Sequence, residues 1–142
     1  MKPFNVRIYA LLEHKGKVLV IHEPFQGKLI YKFPGGGLEF GEGTIDCLKR
    51  ECKEELNLDV IIGSHFYTQD FFTVNAFDST EQILLIYYKA TVTDEALKQL
   101  KVMDEDIEEL CWISPENLNS EMFTLDADKL VVELYKKENF ES

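Results

Sequence analysis

Residues 35–58 read GGGLEFGEGTIDCLKRECKEELNL, a run of glycines followed by a charged, amphipathic segment. The glycines at 35–37 predict a backbone that can turn sharply. Thr44 has a side chain suited to capping a helix N-terminus. Apolar spacing predicts a helix over residues 45–56, whose core-facing side is formed by Ile45, Leu48, Cys52 and Leu56.

The predicted helix carries three carboxylates, Glu51, Glu54 and Glu55, at i, i+3 and i+4. At this spacing they share one side of the helix, within an arc of roughly 100°. Like charges so placed repel one another, and a hard divalent cation with oxygen ligands would offset that repulsion. For such a triplet alone, a solvated acidic face is the better interpretation. The adjacent glycine loop and the flanking charges favour a metal site instead.

The segment from Gly36 to Leu58 resembles the Nudix box, the 23-residue signature GX5EX7REUXEEXGU, in which U is a bulky aliphatic residue. Two positions depart from the pattern. Cys52 stands at the first aliphatic position, and Asn57 replaces the last glycine, where a left-handed conformation is often needed and asparagine is the next best residue. The matching glycine, glutamate and arginine positions are Gly36, Glu42, Arg50, Glu51, Glu54 and Glu55.

The resemblance implies an α/β fold, an α/β/α sandwich around a mixed β-sheet with the box as loop–helix–loop. Residues 1–142 are expected to form a single domain. The sequence around the box agrees with this expectation. A hairpin is predicted over residues 4–22, strands at 29–33, 82–92 and 110–113, and a final helix capped by Asp126. The apolar stripe of that helix is expected to comprise Leu130, Val131, Leu134 and Tyr135.

The resemblance also implies roles for individual residues. Glu51, Glu54, Glu55 and the Gly36 carbonyl would bind Mg²⁺ (or Mn²⁺), and Glu54 would in addition act as a base. Arg50 and Glu51 are counted with the catalytic residues, and Glu42 would orient the carboxylates. Glu105, in the acidic loop before Trp112, is the candidate for an extra catalytic acid. Candidate substrate-binding residues are Arg7, Lys32 and Glu39, although surface ion pairing explains the two cations equally well.

The function implied is a Mg²⁺-dependent pyrophosphohydrolase that cleaves a nucleoside diphosphate linked to another group. A nucleoside triphosphate or related nucleotide is favoured, because no proline follows the box at the place that marks many ADP-ribose hydrolases. The alternative from another class is a non-catalytic module that senses a nucleotide or binds a protein. A third reading is an isomerase of isoprenoid diphosphates on the same scaffold.

Composition limits the partners. A net charge of −11 disfavours a nucleic acid polymer, because such binding requires cations that neutralise phosphates. No apolar run approaches the roughly 20 residues of a membrane span, and we expect a cytoplasmic protein. Three cysteines without a CxxC pair indicate reduced thiols and signal no zinc site, and the three histidines receive no role. A homodimer is common in the resembled family.

Overall fold

The computed structural model describes residues 3–25, 27–75 and 78–141. Within this part the strands are β1 (Phe4–His14), β2 (Lys17–Phe25), β3 (Lys28–Lys32), β4 (Gly35–Gly37), β5 (Ile61–Thr68), β6 (Gln82–Thr91) and β7 (Glu109–Ile113). The helices are α1 (Thr44–Leu56), α2 (Asp94–Leu97) and α3 (Asp126–Glu141), with short 3-10 helices at Pro115–Asn117 and Ser120–Met122.

The described strands form one mixed sheet in the order β3-β2-β1-β6-β5. The predicted hairpin is confirmed: β1 and β2 are antiparallel and turn at Lys15 and Gly16, both of which have positive φ. β1 pairs in parallel with β6 along almost its whole length, and this makes the sheet mixed. β4 adds to β1, and β7 adds to β2.

Alternation along the strands divides the core into two layers, one on each face of the sheet. Leu19 and Ile21 of β2 pack with Leu48 and Cys52 of α1, whereas Val18 and Val20 face α3. The residues buried on the α3 face include Tyr9, Leu11, Phe33, Tyr87, Val131, Val132 and Tyr135. The α/β/α sandwich with a mixed sheet is therefore confirmed.

Helix α1 confirms the predicted element and corrects two details. Thr44 is not the N-cap: Gly43 takes that position without a side-chain hydrogen bond, and the Thr44 hydroxyl lies 2.7 Å from the Tyr88 hydroxyl. Ile45 was predicted to face the core but is 44% exposed, because the buried arc runs through Cys47 instead. The left-handed conformation expected of Asn57 is confirmed, with φ 54° and ψ 36°.

Helix α3 begins at Asp126, which the sequence predicted as its N-cap and which is instead the first helical residue. Its predicted apolar stripe is half wrong. Val131 and Tyr135 are buried, but Leu130 and Leu134 are more than a third exposed. The buried side is completed by Ala127, Asp128 and Val132, so that it includes a carboxylate.

Among the described residues, no helix is both long enough and apolar enough to cross a membrane.

Candidate active site

The glycine run forms strand β4 rather than the free turn that the sequence suggested. Gly36 and Gly37 pair with Ile8 and Arg7 of β1, so the run is fixed by backbone hydrogen bonding. A Cβ on Gly35, whose φ is 146°, would lie 2.0 Å from the Ile8 carbonyl oxygen. A Cβ on Gly36 would lie 2.4 Å from an oxygen of the Glu51 carboxylate. Glycine is required here because β4 lies directly against both β1 and α1.

The three glutamates of α1 differ strongly in exposure. Glu55 is 7% exposed, the Glu51 side chain is 17% exposed, and the Glu54 side chain is 59% exposed. They form a gradient from the protein interior to solvent along one side of the helix.

Arg50 holds the outer carboxylates together. It donates two hydrogen bonds to Glu42, at 3.0 and 2.7 Å, and one each to Glu51 at 2.9 Å and Glu54 at 3.1 Å. A further bond reaches the Gly37 carbonyl at 3.0 Å and ties α1 to β4. The guanidinium bond and the backbone amide of Glu39 lower the pKa of Glu42 to about 2. Bidentate pairing of this kind fixes orientation as well as charge.

Glu55 lies at the inner end, between a backbone amide and a cation. It accepts a hydrogen bond from the Gly35 amide at 3.3 Å, and Lys32 Nζ lies 3.7 Å from its carboxylate. Burial raises the pKa of Glu55 to about 7, although Lys32 and the amide oppose that rise. Burial likewise raises the pKa of Glu51, and Arg50 opposes it. The site therefore holds carboxylates whose charged forms are costly without a further cation.

These groups surround an open cleft of about 470 Å³. The sequence-predicted residues that line it are Gly36, Glu51, Glu54, Glu55, Arg7 and Lys32. Arg50 and Glu42 are not among the lining residues. Arg50 donates hydrogen bonds to Glu51 and Glu54 of the lining, and Glu42 accepts from Arg50. Glu39 is not in the lining: its side chain is 69% exposed and lies 3.7 Å from Arg50. Asp104 lines the cleft in place of its neighbour Glu105, which is exposed.

A second pocket, of about 290 Å³, shares Arg7 and Lys32 with the cleft. Tyr31, Leu85 and Asp128 are among its lining residues. Asp128 is 4% exposed and accepts a 2.5 Å hydrogen bond from Tyr87. Burial raises the pKa of Asp128 to about 6. Sequence reasoning missed this carboxylate, and the one available signal was an aspartate on the apolar side of a helix.

The cleft has the donor set of a hard divalent cation. Its acidic ligands are all oxygen atoms, the type that Mg²⁺ and Mn²⁺ prefer. The Glu51 carboxylate lies directly against the Gly36 backbone. Together with Glu55, it could hold a cation from the helix side of the cleft. The positive charge of Arg50, which donates hydrogen bonds to Glu51 and Glu54, partly neutralises these carboxylates. A divalent cation in the cleft would take over part of this neutralisation.

A family model described as the NUDIX domain matches residues 1–134. The chain is 26% identical over 106 residues to the mRNA-decapping protein OPG122 of Variola virus, a match that covers 69% of this chain and 43% of that protein. It is 23% identical over 114 residues to Phosphatase NudJ of Escherichia coli K12, which covers 80% of this chain and 71% of NudJ. The MutT protein of Methanosarcina mazei Go1 superposes with a TM-score of 0.75 and 22% identity, over 98% of this chain and 97% of that one.

Proposed function

Because the chain belongs to the Nudix hydrolase family, we propose that it is a Mg²⁺- or Mn²⁺-dependent pyrophosphohydrolase acting on a nucleoside diphosphate linked to another group. The bond broken is a phosphoric anhydride, and the Escherichia coli relative NudJ is named as a phosphatase. The observation that carries the proposal is the cleft between α1 and β4, where Glu51, Glu54 and Glu55 face Arg7 and Lys32.

The two sets of charges have separate tasks. Glu51 and Glu55, with the Gly36 carbonyl, would hold the divalent cation on the helix side. The chemistry that such a cation supplies when bound is neutralisation of the polyanionic pyrophosphate and activation of water. Arg7 and Lys32 lie where they can pair with phosphate oxygens and hold the substrate in one orientation.

Glu54 is our candidate for the base. With its side chain 59% exposed, it can receive a proton from water in the cleft while its other contact, Arg50, keeps it in position. From the acidic loop, Asp104 is better placed than Glu105 to supply a further acid, because Asp104 lines the cleft.

A nucleotide matches the arrangement of the two cavities. Arg7 and Lys32 line both, so a molecule whose phosphates lie in the cleft can place its other end in the neighbouring pocket. That pocket offers aromatic and apolar surface together with the buried Asp128, which suits a base that both stacks and forms hydrogen bonds. These features favour a nucleoside triphosphate or a related nucleotide as substrate.

A non-catalytic sensor or protein-binding module is the weaker hypothesis. Burial makes the charged forms of Glu51 and Glu55 costly, and a cation that activates water gives these carboxylates a use that protein binding alone does not.

The test is a hydrolysis panel of nucleoside triphosphates, nucleotide sugars, dinucleoside polyphosphates and ADP-ribose with Mg²⁺, followed by measurement of released phosphate. We expect turnover of at least one compound, lowered about 100-fold or more in Glu54→Gln. The matched control is Glu95→Gln, which removes an exposed carboxylate of α2 that pairs with Lys98. Hydrolysis of no compound would refute the enzymatic proposal, and a fully active Glu54→Gln would refute the role of Glu54.

A further inference from the structure

A cluster of three different metal-binding side chains lies on the other face of the sheet from α1. His22 of β2 is paired across the strands with Glu109 of β7, and Val20 is paired with Cys111. One ring nitrogen of His22, the Cys111 sulfur and a Glu109 carboxylate oxygen lie within 4.8 Å of one another. Strand alternation places these side chains on the same face as Val18 and Val20, which pack toward α3.

The cluster is separate from the candidate active site. Ile21 and Lys32 are paired across β2 and β3, and Lys32 faces Glu55 of α1. His22 is paired with the next residue, Tyr31, and so points to the opposite side. None of the three cluster residues is among the described residues that line the cleft.

His22 is held in place yet incompletely bonded. The residue is 7% exposed, and its ring lies edge-on to Tyr31 with centroids 3.8 Å apart. Its Nδ1 atom is buried and has no hydrogen-bond partner within the part of the chain that the structure describes. The nearest carboxylate oxygen of Glu109 lies 3.7 Å away, beyond hydrogen-bonding distance. A buried polar atom left without a partner is costly. Here that atom is His22 Nδ1, and it points into this cluster.

Cys111 lies close to the same ring. Its sulfur is 3.7 Å from His22 Nε2, and it is a free thiol of intermediate exposure. Burial and the negative charge of Glu109 raise the pKa of the thiol. A cation in the cluster would reverse that effect, because coordination removes the thiol proton.

We propose that His22, Glu109 and Cys111 form a second metal site, selective for a borderline divalent transition ion such as Zn²⁺ or Co²⁺ over Mg²⁺. A set of one imidazole, one thiolate and one carboxylate suits Zn²⁺, whereas Mg²⁺ requires oxygen ligands. Three protein ligands leave a position for water, which the exposed Glu109 side makes accessible. The bound ion joins β2 to β7 and therefore stabilises the strand that follows the acidic loop.

The experiment is a titration of the full chain with Co²⁺ alone as the probe, in excess Mg²⁺ so that the α1 carboxylates are occupied. The expected result is saturation at one equivalent with a near-ultraviolet thiolate-to-cobalt absorption. Cys111→Ser abolishes that absorption. The matched control Cys52→Ala, which removes a thiol on the α1 face, retains it. Absence of the absorption in the unsubstituted protein, or its survival in Cys111→Ser, overturns the proposal.

A second variant guards against misfolding. Glu109 has a side chain that is 62% exposed, so Glu109→Gln leaves the core unchanged. We expect Glu109→Gln to raise the Kd for Co²⁺ by more than about tenfold. Loss of a group that only supports a metal ligand already lowers metal affinity by about that factor. In the same excess of Mg²⁺, Zn²⁺ at about 100 times its Kd is expected to raise Tm by roughly 5–10 °C in the unsubstituted protein and not in Cys111→Ser. An unchanged Co²⁺ affinity in Glu109→Gln would overturn the site as assigned.

Discussion

Asp128 permits a quantitative test of the pocket beside the cleft. Its carboxylate is 4% exposed and receives the Tyr87 hydroxyl at 2.5 Å, and burial raises its pKa from 3.8 to about 6. The folded protein therefore binds this proton more tightly than the unfolded chain does. The resulting stabilisation is fully present below pH 3.8 and is lost as the pH rises through about 6.

The magnitude follows from the change in pKa. At about 1.4 kcal/mol per pH unit, a rise from 3.8 to about 6 corresponds to about 3 kcal/mol. Asn in place of Asp128 has the shape of the protonated acid and still accepts from Tyr87, but it cannot titrate. We expect Asp128→Asn to resemble the unsubstituted protein in stability at pH 4 and to be more stable by about 3 kcal/mol at pH 8.

The assay is urea denaturation of both proteins across this pH range, with a chelator present so that metal binding does not contribute. All other carboxylates titrate in both proteins and cancel in the difference. The matched control is Asp126→Asn, an exposed aspartate in the first turn of the same helix, for which we expect no comparable pH dependence. A stability difference that is constant from pH 4 to pH 8 would refute the reasoning, since burial of the charge could not then be its cause.

Two further predictions concern α1 and the strand beside it. Gly36→Ala places a Cβ 2.4 Å from a Glu51 carboxylate oxygen, so turnover should fall about 100-fold, whereas Gly43→Ala, with no atom within 4 Å of its Cβ, should retain activity. Normal turnover in Gly36→Ala would contradict the close packing of β4 on Glu51. Asn57 has φ 54°, so Asn57→Ala should be less stable in urea than Asn57→Gly by about 1 kcal/mol, and equal stabilities would contradict this cause.

The features that the sequence predicted well are local ones. The helix over α1 and the shared side of its three glutamates follow from a spacing of 3.6 residues per turn, which requires no knowledge of distant contacts. The left-handed Asn57 follows from its place just beyond the helix. Even for α1, the buried side includes Cys47 rather than the predicted Ile45. The sheet against which the helix packs decides which side of it is covered.

The features that the sequence missed are contacts between distant residues. That Asp104 rather than Glu105 lines the cleft depends on the path of a loop that has no periodicity. Asp128 meets Tyr87 across 41 positions, and His22 meets Cys111 across 89. The second of these contacts exists because β7 pairs with β2, and no local pattern indicates that pairing.

Lys32 connects the two cavities electrostatically. It opposes the rise that burial causes in the pKa of Glu55 in the cleft and in the pKa of Asp128 in the neighbouring pocket. Its own ammonium pairs with Glu23 at 3.0 Å. A polyphosphate that binds Lys32 competes for this positive charge, and both carboxylates then become harder to keep ionised. A divalent cation held by Glu55 would restore the balance in the cleft, whereas Asp128 is buried on α3, on the other face of the sheet. We therefore expect nucleotide and cation to bind cooperatively, with Asp128 taking up a proton as the nucleotide enters.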